Sequence, residues 1–331
     1  MKPIFPTTYS TLCPDALASY LSSHYDHGMI KCRFIVRGVG DTYMAEAPDQ
    51  KYILRIYRST HRSLEQIQVE TGLLTALHTA NVSVSYPIAD RNGNMIQEFD
   101  AAEGPRYGVL FSFAHGKSVL QFNDRQLQSL GREMAAFHNV SSVIRPDGQR
   151  WAFDLENTLF RPLEMTKDAF ADNPDDYLWL QQAAKKVEQK LSDTDTSRFS
   201  SGYCQFDFLP KNFHFDENDQ VTLFDFDFLG YGWLVNDMMT FWTHLTLDVF
   251  FNRLTQETAD RYFQVFQEAY REVRAVSEEE LEVIPYLSLG FWLFYMGFHT
   301  THDQFYPVVF QPAQLKMRMN VIRQLMDKYW I

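Results

Sequence analysis

The chain has 331 residues, enough for two units with a core each, and its 45% hydrophobic and 22% charged content is that of an ordinary globular protein. Thirty Lys and Arg against 42 Asp and Glu leave a net charge of −12, which argues against nucleic acid or an anionic membrane as partner. The imbalance is uneven: residues 117–331 carry 20 basic and 31 acidic side chains, so nearly all the excess lies there, either drawing a cationic substrate or forming a solvated face. Cys13, Cys32 and Cys204 have no metal-type spacing and leave an odd thiol, as expected of a reducing cytoplasm. The opening MKPIFPTTYS has no apolar run of signal-peptide length. YLSLGFWLFYMGF at 286–298 falls short of the ~20 residues of a membrane span, so a buried helix is expected there.

PDALASYLSSHY (14–25) has helical spacing, with Pro14 tolerable in a first turn. CRFIVRG (32–38), TYMAEA (42–47) and KYILRIYR (51–58) then read as antiparallel strands joined by turns, the first turn containing Gly38 and Gly40. SLEQIQVETGLLTALHTA (63–80) places Ile67, Leu74 and Leu77 near one helical face with Glu70 in the middle. VSVSYPIAD, NMIQEF and YGVLFSFAHG follow as strand-like segments. Beyond Gly116 helices dominate, at 124–140, 174–193, 258–273, 279–299 and 313–330. Among them lies YCQFDFLPKNFHFDENDQVTLFDFDFLGYG (203–232), two short strands around the turn DEND (216–219). The expected architecture is α+β and bilobal. Residues 1–112 form an N-terminal lobe of antiparallel sheet with one helix, preceded by the N-terminal helix, and 113–331 form a larger, mostly helical C-terminal lobe.

The 203–232 stretch sets Asp207, Asn212, Asp225 and Asp227 among Phe, Leu and Val, where an unpaired charge costs several kcal/mol or shifts its pKa. Asp and Asn five residues apart, then Asp-Phe-Asp after a hairpin, resemble the catalytic loop and metal-binding motif of kinases. Phosphoryl transfer from ATP needs oxygen ligands for Mg²⁺, here Asn212 and Asp225, and a carboxylate beside the acceptor hydroxyl, here Asp207. The N-terminal strands carry a matching set. Gly38 and Gly40 in RGVGDTY would lay backbone N–H groups over phosphates, although the third glycine of a G-x-G-x-x-G loop is missing. Arg55 shares a strand face with Ile53 and Tyr57 and is placed to pair with Glu70. VLFSFAHG (109–116), with Phe111 and Phe113, falls where a hinge would offer its backbone to adenine.

YILRIYR, the helix with Glu70, LGREMAAFH (130–138), the D-x4-N loop and LFDFDFLGYG stand in the order of one family. Over residues 30–330 the chain resembles the aminoglycoside phosphotransferase and choline kinase-like superfamily, on the side of type II homoserine kinases and stress-response kinases, which has a protein-kinase-like fold. The resemblance implies that Asp207 is the catalytic base, that Asn212 and Asp225 are metal ligands, and that Arg55 and Glu70 hold the nucleotide phosphates. It implies an ATP- and Mg²⁺-dependent transfer to a hydroxyl of an amino alcohol, aminoglycoside or hydroxy amino acid. A nucleotide-binding pseudokinase and a stress-response type of protein Ser/Thr kinase are the alternatives. The family's His-Gly-Asp is here Gln205-Phe206-Asp207, and its strand lysine is Arg55.

The remaining polar groups divide. Asp227 either lies behind the metal or makes a structural hydrogen bond, and Asp237 resembles the helix Asp that holds the catalytic-loop backbone. Tyr231, Trp233 and Asp303 are candidates for the acceptor site, which the superfamily builds from C-terminal helices. His138 and His244 read as histidines without chemistry. His299, His302 and Asp303 lack the further matched ligands of a metal site.

Overall fold

The computed structural model describes residues 5–146 and 148–330. The chain divides into two compact units. The first takes in the residues up to Gly116 together with Ile144–Gln149 and Thr222–Asp225, and the second holds Lys117–Val143, Arg150–Val221 and the residues from Phe226 onward.

The first unit is built on one antiparallel sheet of order β1-β2-β3-β5-β4, from β1 (Lys31–Arg37), β2 (Asp41–Glu46), β3 (Lys51–Ile56), β4 (Ile96–Ala101) and β5 (Gly104–Ser112). Alternation along β3 sends Tyr52, Leu54 and Ile56 into a core with Tyr43, Ala45 and Leu110. Helix α1 (Pro14–His24) covers that core with Leu17 and Leu21, four residues apart on one helical face. Ile53 and Arg55 are left on the other face. Helix α2 (Leu64–Thr79) starts at a reciprocal cap between Ser63 and Gln66 and buries Ile67, Val69, Glu70, Leu73, Leu74 and Leu77. The segment 82–90, expected as a strand, makes only isolated bridges, Val84 to Leu223 and Pro87 to Phe111. Pro87 has no N–H for a ladder. The bridge at Val84, with Ser85 N–H donating to Leu223 C=O, attaches Thr222–Asp225 to this unit.

A buried guanidinium ties the N-terminal segment to the start of β2. Arg106, 1% exposed, donates to the carbonyls of Ser10, Ile56 and Tyr57 and to Asp41 Oδ2, while Tyr9 lies against Arg37, Arg58 and Arg106.

In the second unit α3 (Asp124–Ser141) packs on α7 (Gln256–Arg271). β6 (Trp151–Phe153), β7 (Ser201–Cys204) and β10 (Gly230–Trp233) form a sheet of order β6-β10-β7, parallel then antiparallel. α4 (Arg161–Thr166) and α5 (Pro174–Ser192) precede β7, and β8 (Phe213–Phe215) leads into the Asp216 turn; β9 (Val221–Leu223), on the far side of the turn, runs into the Thr222–Asp225 segment of the first unit. α6 (Val235–Phe250) was not legible as a helix: eleven of its sixteen residues are buried, so the sequence shows no polar face to mark a period. The expected helix at 279–299 is two, α8 (Glu278–Glu282) and α9 (Ile284–Thr300), followed by α10 (Tyr306–Val309) and α11 (Pro312–Tyr329). Among the described residues no helix is long and apolar enough to cross a membrane.

The β1–β2 turn gives a stability test. Neither Gly38 nor Gly40 has a positive φ, but a Cβ on Gly40 would sit 2.7 Å from the Ile56 carbonyl oxygen, whereas one on Gly38 meets nothing nearer than 3.8 Å. Gly40→Ala is therefore expected to lower the free energy of unfolding in urea by about 1–3 kcal/mol, and Gly38→Ala by under about 1 kcal/mol.

Candidate active site

The loop that follows β7 is organised by one carboxylate. Asp237, fully buried in the first turn of α6, accepts the N–H of Gln205 (3.0 Å), the N–H of Phe206 (2.7 Å) and His138 Nε2–H (3.0 Å). His138 Nδ1 accepts the hydroxyl of Tyr270 at 2.8 Å, and burial lowers the imidazole's pKa, so both rings' polar atoms are satisfied with the histidine neutral. The role expected of Asp237 is the one it plays. His138, read as a core or surface histidine without chemistry, is a core histidine, and there it helps to hold the carboxylate that shapes the loop.

Phe206 stands at φ 58, a left-handed conformation natural to the glycine of the family motif and costing another residue about 1–2 kcal/mol. Its ring stacks on Phe153 at 3.9 Å and 13°, and Tyr295 Oη–H donates to its carbonyl at 3.4 Å. These contacts, with the bond from its N–H to Asp237, offset the strain. The loop keeps its turn without glycine.

Asp207 and Asn212 come together as their spacing predicts. Asn212 Nδ2–H donates to Asp207 Oδ2 (2.6 Å) and to the Asp207 carbonyl (2.8 Å), and both residues are 2% exposed. Lys211, which the sequence reading passed over, puts Nζ 2.9 Å from the same Oδ2 with its stem mostly exposed. Its position immediately before Asn212 was the available signal.

In the first unit the strand cation is held by two carboxylates. Arg55 Nη1 lies 2.8 Å from Asp225 Oδ1 and 4.0 Å from Glu70 Oε1. The expected pairing with Glu70 is thus at the limit of an ion pair, and Asp225 is the near partner. Asp225 takes φ 62, a second left-handed residue within the motif, and its side chain is 41% exposed. Phe111 is buried on β5 opposite Ile53, on the sheet face of Arg55, and Phe113 is half-buried, edge-on to His115 at 5.2 Å. Gly38 N–H donates to Gly40 C=O at 2.9 Å in the β1–β2 turn.

Among the described residues no group of three or more His, Cys, Asp or Glu is close enough to hold a metal. Magnesium brought by a nucleotide needs only one or two protein oxygens beside the phosphates, and the Asp225 carboxylate and Asn212 carbonyl oxygen are donors of that hard type. The remaining candidates have contacts of their own. Asp227 is buried and its backbone carbonyl accepts from Arg150, Tyr231 lies edge-on to Tyr203, Trp233 to Phe199, and Asp303 accepts the Gln304 N–H at 3.0 Å.

The sequence profile of the phosphotransferase enzyme family matches residues 31–276. The chain belongs to that family. A protein of Synechocystis sp. is 33% identical over 72% of this chain and 66% of its own length, and the amicoumacin kinase of Bacillus subtilis is 24% identical over 85% and 84%. Among solved structures, the microcompartment-associated aminopropanol kinase superposes with a TM-score of 0.74 at 20% identity, covering 94% of this chain and 95% of its own. This phosphotransferase thus has the expected α+β protein-kinase-like fold, and its enzyme class is phosphoryl transfer.

The buried His138 makes stability depend on pH. Its pKa is lower folded than unfolded, so the unfolded chain binds the extra proton, and stability present above about pH 6.5 is lost as pH falls from there toward the folded value. The unfolding free energy is expected to be lower at pH 5 than at pH 7.5. His138→Gln, which keeps a donor for Asp237 and an acceptor for Tyr270, should flatten that slope by up to about 1.4 kcal/mol per pH unit. An unchanged slope would show that His138 is not buried as the neutral form.

Proposed function

We propose that this enzyme transfers the γ-phosphoryl group of ATP to a hydroxyl of a small molecule, with Asp207 as the base. The observation that carries the reading is the loop in which Asp207, Lys211 and Asn212 converge while Asp237 holds both residues before the aspartate. The acceptor oxygen attacks the γ-phosphorus, the bond from that phosphorus to the β,γ-bridging oxygen breaks, and ADP leaves. Asp207 orients the hydroxyl and takes its proton. Arg55, steadied by Asp225 and Glu70, holds phosphate charge, the Gly38–Gly40 turn covers the phosphates, and the backbone around Phe111 and Phe113 receives adenine. Asn212 and Asp225 are the proposed oxygen ligands for Mg²⁺, which when bound spreads the charge of the phosphates. Acceptors named for relatives, aminopropanol and amicoumacin, are both small molecules.

The pseudokinase alternative rests on Gln205 and Phe206 in place of His and Gly. The hydrogen bonds from both backbone N–H groups to Asp237 favour an active loop instead. Binding of ATP and Mg²⁺ in a thermal-shift assay, with no ADP released over a panel of alcohols, would favour the pseudokinase.

Two substitutions separate the roles. Asp207→Asn is expected to lower kcat by about 10²–10⁴ and leave nucleotide affinity nearly unchanged. Asp225→Ala should weaken metal-dependent nucleotide binding and turnover together. Wild-type turnover by Asp207→Asn on a confirmed acceptor would remove the base assignment.

A further inference from the structure

Helix α9 is the most apolar helix of the chain, and one stripe of it is not. Along its second half Trp292, Tyr295 and His299, spaced by three and four residues, are half-exposed, while the positions between them are buried. Tyr295 anchors this stripe to the catalytic loop through its bond to the Phe206 carbonyl. Trp292 Nε1 and His299 Nδ1 are buried atoms with no hydrogen-bond partner among the described residues. Two unsatisfied polar atoms on one face are costly for a structural surface and natural for one that meets a ligand.

The charges that bear on the histidine of this stripe are basic. Arg318, on α11, which packs against α9, is mostly buried and pairs with no carboxylate among the described residues. Its charge bears on His299 together with those of Lys211 and His302, and burial with these neighbours takes the His299 pKa down to about 3, leaving a neutral imidazole. Lys211 in turn touches Asp207 at 2.9 Å, so the group of bases adjoins the proposed catalytic base. The nearby acid, Asp303, is exposed at the end of α9 and accepts the Gln304 N–H. In a part of the chain with 31 acidic and 20 basic residues, an arginine and a lysine that both bear on His299, the lysine also touching Asp207, run against the surface charge.

We propose that the Trp292–Tyr295–His299 face of α9, with Arg318 and Lys211, receives an oxyanion on the acceptor, so that the substrate is an alcohol that also carries a carboxylate or phosphate. The arginine fork suits a planar carboxylate or a phosphate, and the unsatisfied Trp292 Nε1 supplies a neutral donor beside it. The cationic acceptor suggested by net charge is displaced by this local chemistry. The proposal rests on the phosphotransferase reading and refines its substrate class.

The test pairs acids with their uncharged analogues: glycerate and glyceramide, homoserine and homoserine amide, glycerol 2-phosphate and glycerol, alongside 1-amino-2-propanol. Binding is measured by calorimetry with a non-hydrolysable ATP analogue present, and turnover by ADP release. At least one acid is expected to bind, and to react with kcat/KM tenfold or more above its analogue. The phosphate and carboxylate arms show which oxyanion is preferred. Arg318→Gln should raise KM for the acid about 10–100-fold with little change in kcat, and leave its uncharged analogue unaffected. Arg318→Lys should restore part of the affinity, and melting temperatures of both variants report whether they fold. Absence of binding by every acid, or turnover of an amine or amide in preference to the acids, overturns the proposal. Acid binding that depends on Arg318 without turnover of any compound supports it and counts instead against the phosphotransferase reading.

Discussion

The buried carboxylate of Asp237 sets the geometry on which the loop leading to Asp207 depends. A fully buried carboxylate needs several donors, and it finds three: two backbone N–H groups of the loop and one imidazole. Because the two amides belong to consecutive loop residues, satisfying the charge fixes the backbone just before Asp207. Removing the carboxylate would leave two amides and His138 without acceptors inside a closed core. The loop's shape and the solvation of one charge are the same problem.

That constraint explains how the chain departs from its family pattern without losing the turn. A glycine tolerates positive φ freely; a phenylalanine does so only where surroundings hold it. Here the N–H of Phe206 is bound to Asp237, its carbonyl to Tyr295, and its ring lies flat on Phe153. The aromatic stack supplies packing area that glycine cannot. Asp225, likewise left-handed, has its carboxylate against Arg55, so both strained residues fall at motif positions where a side chain is being aimed.

Electrostatics in this protein is a matter of distance. Net charge describes the far field and favours cationic encounter with the second half of the chain, screened over roughly 10 Å at ordinary ionic strength. At contact range the proposed site answers to the groups around α9, where Arg318 and Lys211 carry positive charge beside a neutral His299. An acidic surface and the proposed oxyanion-receiving face are compatible because salt weakens the first and the low dielectric of a half-buried site strengthens the second.

By itself the sequence determined the strands and turns of the first unit, the placement of the main amphipathic helices, and the closeness of Asp207 to Asn212, because each follows from periodicity or from spacing along a few residues. The same local logic located Arg55, though pairing it with Glu70 overlooked Asp225, a partner 170 residues away whose approach no periodicity encodes. Helix α6 escaped because burial on nearly every side erases the alternation that reveals a helix, and 82–90 was read as a strand because its apolar pattern says nothing of whether a ladder partner exists. Only tertiary structure decided that His138 serves the loop and that α9 leaves Trp292, Tyr295 and His299 half-buried, with Lys211 and Arg318 bearing on His299. Those roles depend on which helices pack together, and a side chain's neighbours across a core are set by the sum of all the packing, which no short stretch of sequence contains.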